Sequence, residues 1–225
     1  MRGFDIKQIP MRSFRISGLT AKWGFGDSRK PSIWDANLIG RWDARTFPDG
    51  ALATIPNTAT MADRAPDITV KGATMAGGTL LFDGVNDFAF TDEYTFPERF
   101  TVFWDVDWLG KEYKGAGIIH TDNLYLLNAA STRSLSCRVK QGGTFADIPN
   151  RSVGISTTGK YYSKSGAASN FEGKIGEGAH PGKLFIGHNP ENDTFTQMGF
   201  RQLLIFNKEL SQDEVNDVLR AMFPA

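Results

Sequence analysis

The chain has 225 residues, 40% of them hydrophobic and 22% charged, which is the composition of a folded globular chain and excludes a disordered one. Its 25 Lys and Arg balance 25 Asp and Glu, so it lacks the basic excess of a general polyanion binder. A single cysteine, Cys137, excludes an intrachain disulfide, and no apolar run approaches the roughly 18 residues of a membrane span.

The charge is unevenly spread. Residues 1–30 carry seven Lys or Arg (Arg2, Lys7, Arg12, Arg15, Lys22, Arg29, Lys30) against Asp5 and Asp27, a net of +5. The same stretch holds Trp23 and Phe25 in "WGFG" and has little hydrophobic period. Residues 1–34 therefore read as a basic arm, and residues 35–225 as one domain. Basic arms commonly dock on partner proteins or nucleic acid. The competing reading is an ordinary first strand with solvated charges. "MRGFDIKQIPMRSF" has no apolar run of signal-peptide length, so the expectation is a protein without a leader.

Beyond residue 35 the pattern has a period of two. In "TVFWDVDWLG", Val102, Trp104, Val106 and Trp108 alternate with Thr101, Phe103, Asp105 and Asp107, which puts the two sets on opposite faces of a strand. "SLSCRVK" alternates in the same way, with Leu135, Cys137 and Val139 on the apolar side. "GTLLFDGVNDFAFTD", "NLYLLN", "KLFIGHN" and "FRQLLIF" are further strand candidates. Turn signals divide them at 77–78, 83–84, 142–143 and 189–193. Short strands at fairly even spacing indicate an all-β sandwich or barrel. The expected core includes Val102, Trp104, Leu184 or Phe185, Leu204 and Phe206.

The last element is of another kind. Ser211 and Glu214 have the spacing of a capping box, and Leu210 and Val215 that of a hydrophobic staple. Val215, Leu219 and Met222 form an apolar stripe, and Pro224 follows it. The spacing predicts one short amphipathic helix over about 211–222.

Two segments, "GTLLFDGVNDFAFTDEYTFPERFTVFWDVDWL" (78–109) and "GKLFIGHNPENDTFTQMGFRQLLIFNKELSQDEVNDVL" (182–219), resemble the laminin G-like or concanavalin A-like jelly-roll superfamily. "NLIGRWDA" (37–44) is similar to the opening of such domains. The likeness covers about residues 35–225 and is weakest in the middle, where "KYYSKSGAASNFEGK" departs from the family's Tyr-Val-Asn-Gly hairpin. The resemblance implies a two-sheet antiparallel sandwich. It also implies a short list of roles: glycan-binding modules, adhesion modules, glycoside hydrolases and structural domains of phage particles.

A glycoside hydrolase needs two carboxylates across the scissile bond. The nearest pair is Asp105 and Asp107, about 6.7 Å apart along a strand and without a third acid; a solvated outer face is the favoured reading. Cys137 and the scattered His120, His180 and His188 form no nucleophile set and no zinc set. A structural calcium at the sandwich rim, which the resemblance implies, has Asp83, Asn86 and Asp87 as candidate ligands, although turn chemistry explains the same residues. Glu191, Asn192 and Asp193 offer a second such group. Tyr113, Tyr161 and Tyr162 are candidate stacking platforms for a glycan.

The expectation is therefore a non-catalytic structural or attachment protein of a bacteriophage virion, with no cofactor beyond that calcium. Arg2, Lys7, Arg12, Arg15, Lys22, Trp23 and Phe25 would anchor it to other virion proteins or to copies of itself. Host-surface glycans are a further expected partner, and nucleic acid is not. The alternative is a lectin-like carbohydrate-binding or adhesion module. The expected location is the virion, or otherwise the cytoplasm of the producing cell.

Overall fold

The computed structural model describes residues 32–109, 117–120, 124–128, 135–139, 146–148, 152–170 and 179–224. Residues 1–31, and with them every anchoring candidate of the basic arm, lie outside that set. Among the described residues no helix is long and apolar enough to cross a membrane.

The fold is an all-β sandwich with one substantial helix. The main sheet has nine strands: β1 (Leu38–Asp43), β2 (Gly50–Ala51), β3 (Thr74–Ala76), β4 (Thr79–Asp83), β5 (Thr101–Trp108), β6 (Ser152–Ser156), β7 (Lys160–Ser163), β8 (Ala168–Asn170) and β9 (Gln197–Phe206). Their order across the sheet is β8-β7-β6-β5-β9-β4-β3-β2, with β1 also paired to β9, and every pairing is antiparallel. A second sheet runs Phe185–Ile186, Phe88–Thr91, Ile68–Lys71, Thr54–Ile55. Strands Gly117–His120, Leu124–Asn128, Leu135–Val139 and Ala146–Ile148 form a third, in sequence order. Turns fall where glycine supplies a positive φ, as at Gly84 (77°), where a Cβ would press on the backbone of Gln197.

The main sheet and the second sheet bury one core between them. Trp42, Leu80, Phe82, Val102, Trp104, Ile155, Phe200, Leu203 and Ile205 from the main sheet meet Ile55, Ile68, Ala89 and Ile186 from the second. Leu184 is in that core, while its neighbour Phe185 is only half-buried. Val102 and Trp104 lie there as expected.

Leu204 and Phe206 are buried too, but on the other face of the main sheet. A bulge at Arg201, between Phe200 and Gln202, shifts the register of β9. It puts Leu203 and Ile205 into the inter-sheet core and turns Gln202, Leu204 and Phe206 outward. There a second cluster forms with Phe103, Val153 and Tyr162 beneath helix α2 (Gln212–Met222). Helix α1 (Ile33–Ala36) brings Trp34 onto Phe206, edge to face at 5.7 Å, so Ile33 and Trp34 pack with the sandwich.

Helix α2 begins as its sequence requires. The Glu214 amide donates to Ser211 Oγ at 3.4 Å, and Glu214 Oε2 accepts from the Ser211 amide at 2.8 Å. Leu210, Val215, Val218, Leu219 and Met222 are buried against the sheet. The outer face of β5 is therefore not solvated along its length: Thr101, Phe103 and Asp105 are all buried.

Candidate functional site

The outer face of β1 carries Arg41 and Asp43 on either side of Trp42, whose ring enters the inter-sheet core. Gly40 lies on the core side, where a Cβ would collide with the Trp42 ring. The segment after Ile55 runs along the free edge of β1. The Arg41 amide donates to Asn57 Oδ1 at 2.9 Å, and the Arg41 carbonyl accepts from the Thr58 amide at 2.9 Å. Asn57 is 2% exposed, and its Nδ2 donates to the carbonyls of Ile39 (2.9 Å) and Ala65 (2.6 Å). One buried amide thus fixes both walls of a surface cleft of about 320 Å³ lined by Arg41, Asp43, Thr46, Phe47, Pro56 and Thr58. That volume is at the small end of ligand sites.

The Asp43 carboxylate is fully engaged. Its Oδ1 accepts from the Arg45 amide (3.1 Å) and Nε (2.9 Å), and its Oδ2 from Arg45 Nη2 (2.7 Å) and Gln202 Nε2 (3.1 Å). This pairing raises the Arg45 pKa above its ordinary value, and Arg45 Nη1 also reaches the Met222 carbonyl near the end of α2. The guanidinium of Arg41 has no hydrogen-bonding or ionic partner among the described residues, in contrast to those of Arg45, Arg64, Arg201 and Arg220.

Beside this cleft, Arg201 gathers the two acids of β5. Its Nη2 is 2.7 Å from Asp105 Oδ1 and 3.1 Å from Asp107 Oδ1, and its Nη1 is 2.6 Å from Asp107 Oδ2. The guanidinium holds the Asp107 carboxyl below the usual carboxylate range and is itself raised by the same bonds. Sequence periodicity placed these acids on a solvated face. Asp107 is exposed, but the bulge in β9 delivers Arg201 to both acids, and Asp105 is only 7% exposed. A general acid needs a raised pKa and a free approach to the substrate, and Asp107 has the opposite shift.

Tyr113 lies outside the described residues. Tyr162 is 1% exposed and stacks on Phe103 at 5.7 Å, so its ring has no open face for a sugar. Tyr161 is half-buried against the inter-sheet core. Asp83, Asn86 and Asp87 do come together, but as a turn. Asp83 Oδ1 accepts from the amides of Val85 (2.7 Å) and Asn86 (3.3 Å), and Asp87 Oδ2 from the amide of Asp83 (3.0 Å). The Val85 amide is the largest cause of a lowered Asp83 pKa. Among the described residues no three His, Cys, Asp or Glu side chains gather as metal ligands. The expected result of adding a chelator is an unchanged melting temperature; a metal bound at 100 times its dissociation constant would be worth about 2.7 kcal/mol, a shift that a thermal melt detects. His188 is buried among Phe88, Phe185 and Phe195, stacked on Phe195 at 4.5 Å, with Nε2 3.2 Å from Asp193 Oδ1.

Arg41 was not singled out from the sequence. Its signal was the Arg-x-Asp alternation in "NLIGRWDA", a segment read only for its likeness to the opening of a family. What makes Arg41 part of a cleft is a neighbour fifteen or more residues away, Asn57 and Thr58, which periodicity does not pair with it.

No protein-family model matches the chain, and neither does any curated protein. Among solved structures it is similar to Trypanosoma rangeli sialidase in complex with sialic acid, with a TM-score of 0.58 and 15% identity over 83% of this chain and 33% of that one. A second structure of the same sialidase gives a TM-score of 0.56 at 16% identity over the same shares. The binding domain of Botulinum Neurotoxin DC in complex with SialylT gives 0.53 at 12% identity, over 86% of this chain and 53% of that one. The chain thus spans a third of the sialidase and about half of the toxin domain. At these identities the likeness is one of fold, and the β-sandwich those proteins contain is the fold this chain adopts.

Proposed function

We propose that this chain is a non-catalytic attachment module of the laminin G-like, concanavalin A-like kind, displayed on an assembled particle such as a bacteriophage virion and anchored there by residues 1–34. Its sandwich binds a glycan in the cleft beside β1. The observation that carries the glycan reading is that cleft: a guanidinium without a partner among the described residues, on a backbone held at both its amide and its carbonyl, with two threonine hydroxyls and an aromatic wall within about 320 Å³. Polar groups that fix orientation beside an apolar wall are the usual make-up of a small-ligand site. The structures of similar fold are of a sialidase in complex with sialic acid and of a toxin binding domain in complex with SialylT, which supports the same reading.

Two features favour binding without turnover. Asp105 and Asp107, the pair the sequence offered for glycoside hydrolysis, share one guanidinium, which leaves that pair engaged within the fold rather than free to straddle a glycosidic bond. The separate positive charge of residues 1–30 is suited to holding the module on a partner, since exposed charges steer and anchor such contacts.

The test compares the full chain with one lacking residues 1–30 on immobilised glycans and on purified particles. Both chains are expected to bind glycan and release no sugar, and only the full chain to be retained by particles, with salt weakening that retention. Release of free sugar would make it an enzyme. Unfolding of the truncated chain would make the arm part of the sandwich.

A further inference from the structure

Resting on the glycan reading above, we propose that the cleft is specific for a carboxylate-bearing sugar, with the Arg41 guanidinium as the group that receives the carboxylate. The cleft holds two formal charges of opposite sign, and only one of them is available to a ligand. Asp43 accepts four hydrogen bonds, three from Arg45 and one from Gln202. Its charge is matched by Arg45 within the fold. Arg41 has no counter-charge among the described residues, although Asp43 stands two residues away on the same face of β1. Arg41 is therefore the charge in the cleft that a ligand can engage.

The shape of that cation selects among anions. A guanidinium presents its N–H groups as a planar fork, which matches the two oxygens of a planar carboxylate in a bidentate pair. The backbone beneath it is already ordered, since both the amide and the carbonyl of Arg41 are bound by the segment at Asn57 and Thr58. Little ordering of the main chain is left to occur on binding.

The remaining walls suit a sugar that carries such a group. Thr46 Oγ1 and Thr58 Oγ1 each donate inward, to the carbonyls of Asp43 and Arg41, both at 3.2 Å. Their donors are thereby occupied, and the hydroxyl oxygens remain as acceptors for ligand hydroxyls. Phe47 and Pro56 supply apolar surface for the C–H face of a ring. A free carboxylate such as acetate would use only the fork; a uronic or sialic acid would use all three kinds of wall.

The experiment titrates the full chain, and its Arg41→Met variant, with the methyl glycosides of glucuronic acid and sialic acid, the methyl esters of both, neutral methyl glucoside and glucose 6-sulfate. Arg41 is exposed and without a side-chain partner, so the variant is expected to melt with the native chain. At least one free acid should bind, and esterification or Arg41→Met should each weaken it about tenfold or more, the size of a lost charge-assisted hydrogen bond. Equal binding of acid, ester and neutral sugar, unaltered in Arg41→Met, would overturn the acidic specificity and leave the glycan reading standing. Preference for the sulfate over both carboxylates would overturn the carboxylate assignment alone. Failure of every sugar to bind would bring down the glycan reading together with this inference.

Discussion

Replacing Arg201 with Met is expected to destabilise the domain by about 3 kcal/mol or more, the usual cost of stranding a buried carboxylate by removing its partner. Arg201 is the sole residue bonded to both acids, at 2.7 Å from Asp105 and 2.6 Å from Asp107 among the described contacts. Asp105 is 7% exposed on a central strand, in register with Gln202 of β9, so without Arg201 its charge would be left buried. Equilibrium unfolding in urea would measure the loss. The variant also carries a signature in pH. The folded pKa of Asp107 is depressed, so its contribution is present above the ordinary carboxylate range and is lost as pH falls through the depressed value. Without Arg201, Asp107 returns toward its ordinary pKa, and this part of the acid sensitivity disappears. A variant with native stability, or one that retains the whole acid dependence, would show that the pair is a surface decoration.

Trp42→Ala is expected to cost about 3–5 kcal/mol, the range for truncating a large aromatic in a packed core. Such a loss is comparable with the total stability of many domains, about 5–15 kcal/mol. Trp42 is fully buried between the sheets, and its Nε1 donates to the Pro66 carbonyl at 3.1 Å. Its effect should reach the cleft, because Arg41 and Asp43 flank it on β1. The urea midpoint should fall with little change in slope. Gly40 provides a coupled check. Gly40→Ala alone should destabilise, since the new Cβ would meet the Trp42 ring. In the Trp42→Ala background that clash is gone, and the two changes should be far from additive. Additive effects would mean that Gly40 is required for another reason.

The parts of the fold that were legible in the sequence are those written in local chemistry. The capping box at Ser211 and Glu214, the staple at Leu210 and Val215, and the alternation that sends Val102 and Trp104 inward all involve residues a few positions apart. The parts that were not legible depend on distant segments. "FRQLLIF" is apolar on both sides of its strand, so no period in it reveals the bulge at Arg201 or assigns Leu203 to one core and Leu204 to the other. Asp105 looked like a solvated residue, as its neighbour Asp107 is, because the Arg201 that pairs with it lies 96 positions away. Tyr162 looked exposed for a similar reason: its glycine-flanked hairpin gives no sign that Phe103 and helix α2 cover it. The cleft was hidden in the same way, since its walls are brought together by one buried asparagine.

The position of β9 has a consequence for how the chain assembles. This strand is the seam of the main sheet: β5 lies along one edge of it, and β4 and β1 share the other. Asp43 and Gln202, neighbours across the seam, are 159 residues apart. A chain emerging from the ribosome must therefore make β1, β4 and β5 long before the strand that joins them. Until residues 197–206 appear, those strands present unpaired edges and half of an apolar core, the state in which β proteins associate wrongly. Closure of the sheet is a late, long-range step, and loop closure on that scale belongs to the millisecond-to-second folding of sandwiches rather than the microseconds of helical bundles.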